Sequence, residues 1–140
     1  MATQLAATVS LQGDSLLIGK GHTGHEVRID YLPPLGGDDG FMPLELLLTS
    51  LAACSCHTVL FLLRKMGKTV ETFEVRAVGN RREEHPTGFT AIELRYELAG
   101  AALDAASVAR AIRLAEETYC PVWAMLQGSV TLSSSYRVLA

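Results

Sequence analysis

The sequence is poor in charged residues, in aromatic residues and in cysteine. Charged residues make up 19% and aromatic residues 6% of the 140 positions, whereas 49% are hydrophobic. This composition excludes a disordered chain, which cannot bury enough apolar surface to fold. The net charge of -3 and the shortness of the basic pairs at 64–65 and 81–82 exclude the basic surface that binds nucleic acid. We therefore expect one globular domain over residues 1–140, without a nucleic-acid partner.

The few cysteines do not form the pattern of a secreted disulfide framework. Cys54, Cys56 and Cys120 are an odd number, and the third lies far from the other two. The first residues, MATQLAATVSLQGD, lack the basic start and the continuous apolar core of a signal peptide. We therefore expect a cytoplasmic protein, in which free thiols are usually structural, metal-binding or redox-active.

One stretch lacks charge altogether, and it raises the question of a membrane span. The eighteen residues from Leu46 to Leu63 contain no Asp, Glu, Lys or Arg. A span needs roughly 20 predominantly apolar residues. This stretch is slightly shorter, includes two serines, two threonines and a histidine, and is flanked by Glu45 and Arg64. We interpret it as a buried helix of a protein that does not enter the membrane.

The same helix predicts a second copy of the chain. Pro43 suits its first position, and Gly67 ends it after Arg64 and Lys65, which favour a helix C-terminus. Its apolar residues lie all the way round, so every side must be covered. One small sheet covers only one side. We therefore predict a homodimer.

The remaining patterns complete an α+β domain. Alternating residues before position 32 predict three strands, and the segments around 73–77 and 92–98 predict a long hairpin. Asp104 is placed to cap a helix from about Ala105 to Thr118, Pro121 begins a short helix, and SVTLSSSYRV is a final strand. The predicted order is βββ-α-ββ-α-α-β.

The three thiols differ in what their surroundings allow. Cys54 and Cys56 lie about 200° apart around a helix, so they cannot bind one metal without unwinding it. With His57 they also lack the second ligand pair of a zinc site, so we expect no metal. Cys56 is best explained as a small buried apolar residue, and His57 as a core or interface histidine.

Cys120 gives Cys54 a candidate partner. It precedes Pro121, which disfavours helical geometry at Cys120 and places it next to the N-cap of the short helix, where negative charge is favoured. Two separated thiols in such positions would suit a pair that cycles through a disulfide. The spacing alone leaves open whether they meet.

The strings MPLELLLTSLAAC and YCPVWAMLQGSV together resemble the OsmC/Ohr family of thiol-dependent peroxidases. The resemblance extends over essentially the whole chain and is greatest to the OsmC-like branch, which carries similar P-x-E-L-L-L…C and Y-C-x-V-x-x-M-L strings. It implies an OsmC-like fold, with a long central helix buried between the sheets of an intertwined homodimer.

The resemblance also implies a reaction. The position of Cys54 is the peroxidatic thiol, which reduces an organic hydroperoxide or hydrogen peroxide and becomes a sulfenic acid. The position of Cys120 is the resolving thiol, which forms a disulfide with it. An external dithiol of lipoyl type or another thiol then reduces the disulfide, without a bound cofactor. Leu47, Phe61 and Trp123 would line an apolar peroxide site, or would simply be core. The implied role is defence against oxidative and osmotic stress.

The sequence departs from the family pattern at the residue after Pro43. Well-characterised branches have a glutamate there, which holds an arginine against the reactive thiol; this chain has Leu44, with Glu45 one residue later. Arg28 is the one arginine before the helix; it is the candidate that stabilises the thiolate, or it is a solvated strand residue beside Glu26 and Asp30. Glu45 is its candidate partner, or a first-turn carboxylate favoured by the helix dipole, or a group that faces the second chain. The alternative cations are Lys20, His22 and His25.

Two other functions stay open at this point. The same fold could bind a small apolar molecule, with its cysteines incidental, and Leu44 in place of glutamate favours this alternative. The protein could also be a redox sensor, in which oxidation of the thiols alters the dimer without turnover. In both alternatives little peroxide would be consumed.

Overall fold

The structure is a computed structural model and describes residues 3–139. The chain forms two compact units, one ending at Leu47 and the other beginning at Leu48. The expectation of a single domain over residues 1–140 stays a prediction.

The N-terminal unit contains the predicted meander. Strands β1 (Thr8–Gln12), β2 (Leu16–Lys20) and β3 (Glu26–Ile29) form an antiparallel sheet in that order. Asp30 follows β3, and its buried carboxylate accepts hydrogen bonds from three backbone N–H groups of the next loop. The donors are Tyr31 at 2.8 Å, Gly37 at 3.0 Å and Asp39 at 3.3 Å. One carboxylate therefore organises the loop that leads to the long helix.

The long helix, α1, covers Pro43–Lys65, as predicted. At its start, the carboxylate of Glu45 accepts the backbone N–H of Met42 at 2.8 Å. At its end, Gly67 has a φ of 78°, where glycine carries no steric cost. The N–H groups of Gly67 and Lys68 bond the carbonyls of Arg64 and Leu63, which is a Schellman motif. The predicted stop at Gly67 is confirmed.

The C-terminal unit contains a second three-stranded sheet. Strands β4 (Thr72–Arg81) and β5 (Phe89–Ala99) form the predicted antiparallel hairpin. Strand β6 (Thr131–Val138) pairs with β5 in parallel, so β5 is the central strand. Between β5 and β6 lie α2 (Ala105–Leu114), a π-helical turn (Ala115–Tyr119) and α3 (Pro121–Leu126). The element order confirms the predicted α+β class.

The second helix corrects one boundary. We expected a single helix to about Thr118, but regular α-helix ends at Leu114 and the chain widens into the π-helical turn. There the N–H of Cys120 bonds the carbonyl of Ala115, five residues earlier, at 2.9 Å. The Asp104 cap is confirmed, because its carboxylate accepts the N–H of Ser107 at 3.1 Å.

The core of the C-terminal unit comes from one face of β5 and from one stripe of each longer helix. The buried residues on these elements are Ile92, Leu94, Tyr96 and Leu98 on β5, Leu51, Ser55, Val59 and Leu63 on α1, and Val108, Ala111 and Ile112 on α2. Most of α1 stays outside this core, since 22% of its most apolar 18-residue window is buried. By length and composition alone, α1 could cross a membrane. A single chain therefore does not bury α1 on every side, and its coverage by a second copy stays a prediction.

Candidate active site

Cys54 lies in the middle of α1 and is half-buried. The thiol of Cys120 and the backbone N–H of Val122 both lie close enough to its sulfur to affect its ionisation. Its backbone carbonyl accepts the hydroxyl of Thr58 at 2.8 Å. Cys54 therefore faces the junction at which α3 begins.

Cys120 forms that junction. It is the N-cap of α3, with an extended backbone (φ -83°, ψ 106°), as expected for a residue before proline. Its sulfur accepts the backbone N–H of Trp123 at 3.5 Å and lies 3.6 Å from the hydroxyl oxygen of Ser55. Its exposed fraction is 2%. The sulfur is therefore held from two sides inside the unit.

The structure thus brings together two of the residues predicted from the sequence. Cys54 and Cys120 are free thiols within interaction distance of each other. Their assignment as peroxidatic and resolving thiols stays a prediction.

The surroundings of Cys54 favour its neutral form. Burial raises its pKa above the ordinary thiol value, and the neighbouring Cys120 raises it further. The N–H of Val122 and the hydroxyl of Thr58 act in the opposite direction without cancelling the effect. Burial also raises the pKa of Cys56. Since the thiolate is the nucleophile, Cys54 needs a further positive group to react fast at neutral pH.

Two polar residues of the site were not predicted from the sequence. Ser55 is 1% exposed, and its hydroxyl faces Cys120. Tyr96, on β5, places its hydroxyl near Ser55, and burial raises the pKa of that hydroxyl far above its usual range. One sequence signal for Ser55 did exist: it lies four residues from both Leu51 and Val59, so a hydroxyl occupies an otherwise apolar stripe.

The other predicted residues are less closely tied to the thiols. Trp123 is buried in the first turn of α3, and Leu47 is half-buried. Phe61 is 57% exposed and stacks on the ring of His57 at a centroid distance of 5.9 Å. His57 is exposed in one chain, so it is not a core histidine, and its place in an interface stays a prediction. That Phe61 lines an apolar peroxide site stays a prediction, and this role would need a second copy of the chain to cover its ring.

Arg28 and Glu45 both belong to the N-terminal unit. The guanidinium Nε of Arg28 donates to the carbonyl of Asp39 at 2.9 Å, which ties it to the loop after β3. Glu45 bonds the N–H of Met42 at the start of α1. The roles of both residues toward Cys54 stay predictions that depend on the resemblance.

A cavity of about 440 Å³ lies beside α3. It is lined by Trp123, by the connection to β6 (Gln127, Gly128, Ser129 and Val130) and by the first two residues of β6, Thr131 and Leu132. Over residues 3–139, no three His, Cys, Asp or Glu side chains are grouped so that they could hold a metal ion.

Comparisons with known proteins agree with this architecture. A family model described as OsmC-like protein matches residues 36–135. Protein YhfA of Escherichia coli (strain K12) is 37% identical over 123 residues, which cover 88% of this chain and 90% of YhfA. An OsmC like protein from Mycoplasma pneumoniae has a TM-score of 0.86 at 21% identity, covering 100% of both chains. An organic hydroperoxide resistance protein from Elizabethkingia anophelis has a TM-score of 0.68 at 19% identity, covering 98% of this chain and 99% of that one. These similarities confirm the resemblance found in the two cysteine strings, and the chain belongs to the OsmC-like protein family.

Proposed function

We propose that the protein is a thiol-dependent peroxidase in which Cys54 reduces a hydroperoxide and Cys120 resolves the oxidised product. The observation that carries this proposal is the position of the Cys120 sulfur, at the start of α3, against the middle of α1: it lies 3.6 Å from the hydroxyl oxygen of Ser55, the residue that follows Cys54. Family membership supports it, and so does the fold shared with a protein named for organic hydroperoxide resistance.

The proposed reaction has three balanced steps. The Cys54 thiolate attacks one peroxide oxygen, so that an S–O bond forms, the O–O bond breaks and the alkoxide leaves as an alcohol after taking up a proton. The Cys120 sulfur then attacks the sulfenic sulfur; an S–S bond forms, the S–O bond breaks, and the hydroxyl group leaves as water with the proton from Cys120. An external dithiol, of lipoyl type or another thiol, donates two electrons and restores both thiols.

The first step requires a cation at Cys54, because burial and Cys120 both raise the pKa of this thiol. We assign this part to Arg28, with Glu45 as the residue that would orient it. Positive charge within about 4–6 Å favours a thiolate and can offset the cost of its burial.

We further propose a cytoplasmic homodimer in which the exposed side of α1 is covered by a second copy. Apolar residues of α1 outside its buried stripe, Phe61 among them, remain exposed or half-buried in one chain. A second apolar surface would remove them from water. Peroxides with an apolar substituent would suit a site next to such an interface. In this setting the protein would act in defence against oxidative stress.

The test is consumption of cumene hydroperoxide with dithiothreitol or dihydrolipoamide as reductant. Cys54→Ser should abolish it, and Cys120→Ser should leave a sulfenic acid on Cys54 that dimedone labels. Cys56→Ser is the matched control and should keep the parent rate, since Cys56 points away from Cys54 on the same helix. If the parent does not consume peroxide, or if both variants act at the parent rate, the mechanism is wrong.

A second candidate is the binding of a small molecule in the cavity beside Trp123, whose lining combines Trp123, Val130 and Leu132 with the polar Gln127, Ser129 and Thr131. In that case native mass spectrometry would show a retained ligand, and peroxide would not cause the loss of free thiols. A redox sensor would instead consume one equivalent of peroxide per pair of thiols and would show no further turnover.

A further inference from the structure

We propose that Ser55 is a positioning residue for Cys120: its hydroxyl holds the Cys120 sulfur where it can attack the oxidised sulfur of Cys54. This inference rests on the proposed function, because it assigns a part in the step in which Cys120 acts. It adds a residue that neither cysteine string marked as functional.

The first support is the geometry of a buried contact. The Ser55 hydroxyl oxygen and the Cys120 sulfur lie 3.6 Å apart, and both residues are almost fully buried. Ser55 directly follows Cys54, so α1 presents two consecutive residues to the same partner. Contact with both residues fixes the Cys120 thiol in two directions: its distance from α1 and its position along the axis of α1.

The second support is the cost of a hydroxyl at this position. Ser55 lies on the stripe of α1 whose other buried members are Leu51, Val59 and Leu63. An unpaired hydroxyl in an apolar environment destabilises the folded protein. Contact with the sulfur, which accepts and donates hydrogen bonds, offsets this cost. The serine therefore specifies an orientation that an alanine, the better helix former, would not.

The third support is a second buried hydroxyl. Tyr96 OH has no hydrogen-bond partner of ordinary geometry among residues 3–139. Burial raises its pKa, so it stays a donor, while the nearby Ser55 hydroxyl acts in the opposite direction. The Ser55 hydroxyl is therefore near both Tyr96 OH and the Cys120 sulfur, and a donor at Tyr96 leaves the hydrogen of Ser55 for Cys120.

The groups that orient the Cys120 sulfur are neutral hydrogen-bond donors. Cys54 on α1 and Tyr96 on β5 both interact with Cys120 electrostatically, and neither carries positive charge. Glu116 and Cys56 act on Tyr96 from the π-helical turn and from α1. In the part of the chain that the structure describes, the groups placed to donate to this sulfur are the Ser55 hydroxyl and the N–H of Trp123.

During resolution, Ser55 is not consumed. Cys120 sulfur forms the S–S bond with Cys54 while the sulfenic S–O bond breaks and its oxygen leaves as water. The Ser55 hydroxyl donates to the Cys120 sulfur when that sulfur has lost its proton, and it keeps the thiolate directed at Cys54 until the S–S bond forms. The same approach takes place when Cys54 carries a mixed disulfide instead of a sulfenic acid: the S–S bond between Cys120 and Cys54 forms, the mixed S–S bond breaks, the other half leaves as a thiolate, and the proton of Cys120 goes to solvent.

The mixed disulfide allows a test without peroxide. In a Cys56→Ala background, dithionitrobenzoate reacts with Cys54 and releases one coloured thionitrobenzoate. Attack by Cys120 releases the second. Ser55→Ala should leave the first release unchanged and slow the second about tenfold, the effect of losing one hydrogen bond to a charged group. Ser55→Thr keeps the hydroxyl and should restore the parent rate to within about threefold. Ser50→Ala makes the same change at an exposed position of α1 and should alter neither release.

The outcomes separate this inference from the proposed function. An unchanged second release in Ser55→Ala overturns the role of Ser55. So does a slowing of both releases that Ser55→Thr shares, since this indicates general loss of packing. If Ser55→Thr does not fold, the contrast between Ser55→Ala and Ser50→Ala decides, with the first release as the folding control. A selectively slowed second release in a protein that consumes no peroxide overturns the peroxidase and supports the role of Ser55.

Discussion

The hydroxyl oxygen of Ser55 lies 3.6 Å from the sulfur of Cys120, although the two residues are 65 positions apart. This contact joins the middle of α1 to the junction between the π-helical turn and α3. The turn gives α2 a wider end, and the N–H of Cys120 bonds the carbonyl of Ala115 there. Such turns are frequent at functional sites. Here the turn, together with Pro121, sets the direction in which Cys120 leaves the helix.

The first prediction concerns the cation at Cys54. In Arg28→Ala, Cys54 should react with iodoacetamide as a buried thiol, at a rate that keeps rising with pH through the alkaline range, because burial raises its pKa. The parent should reach its plateau at lower pH and react about tenfold faster or more at neutral pH, since a nearby cation favours the thiolate. Rates should be measured in a Cys56→Ala background.

Arg110→Ala, on the exposed side of α2, is the matched control for this loss of charge and should behave like the parent. Identical pH profiles for Arg28→Ala and the parent would remove Arg28 from the site. The alternative cations Lys20, His22 and His25 could then be tested in the same way.

The second prediction concerns acid stability. Although burial by itself raises the pKa of Asp30, hydrogen bonds from Gly37, Ser15, Tyr31 and Asp39 bring it below the usual range. Because the folded value is the lower one, the stabilisation is fully present above the unfolded pKa of about 3.9 and is lost as pH falls through the folded value. Asp30→Asn should lower Tm at pH 7 and flatten its dependence on acidic pH.

Thermal unfolding followed by circular dichroism at a series of pH values tests this prediction. Asp14→Asn, at an exposed position between β1 and β2, should leave both Tm and its pH dependence close to the parent. An Asp30→Asn variant with the parent's acid profile would show that the loop does not depend on this carboxylate.

The third prediction concerns the buried hydroxyl of Tyr96. Since this group has no partner of ordinary geometry over residues 3–139, Tyr96→Phe should change the free energy of unfolding at neutral pH by less than about 1 kcal/mol. The folded pKa is raised, so the unfolded chain ionises first once the pH exceeds about 10. The parent should therefore lose stability there, and Tyr96→Phe should lose less.

Urea unfolding at neutral and alkaline pH measures both effects. Tyr136→Phe changes an exposed tyrosine of β6 and should keep the alkaline loss of the parent. A large destabilisation of Tyr96→Phe at neutral pH would contradict the prediction and would show that the hydroxyl is firmly bonded in the resting protein.

The sequence predicted the elements well because their signals are local. Alternation marked the strands, and Pro43, Gly67 and Asp104 marked helix ends through backbone geometry that each residue favours by itself. The parallel pairing of β6 with β5 and the π-helical turn were not predicted, since both depend on tertiary packing. For the site, the two cysteine strings indicated Cys54 and Cys120. Only the folded structure shows that the two cysteines are close to each other and that Ser55, with its proposed role, contacts Cys120.

The same limit applies to α1, whose composition predicted burial on every side. In one chain Val59 is completely buried, whereas Phe61, two residues later, is 57% exposed. Apolar side chains all round a helix are stable in water only when another surface covers them. One chain therefore buries only one side of α1, and the predicted burial of the other side requires a second chain.

Phe61→Arg should dissociate the proposed homodimer while leaving the fold of each chain intact. An aromatic residue at the centre of an interface contributes about 2 kcal/mol or more, and a buried arginine without a partner opposes association further. Sedimentation velocity should show a parent dimer and a monomeric variant. The Tm of the parent should also rise with protein concentration, because only folded chains associate into the dimer.

Leu63→Ala is the control on the buried stripe of α1. It should lower the free energy of unfolding of each chain by about 2–5 kcal/mol through loss of packing. The affinity of the folded chains for each other should stay that of the parent. A monomeric parent, or a Phe61→Arg variant that remains a dimer of parent affinity, would contradict the proposed interface. If the variant is a folded monomer, its peroxide consumption will show whether a second chain contributes to the surroundings of Cys54, since a site complete within one chain would keep the parent rate.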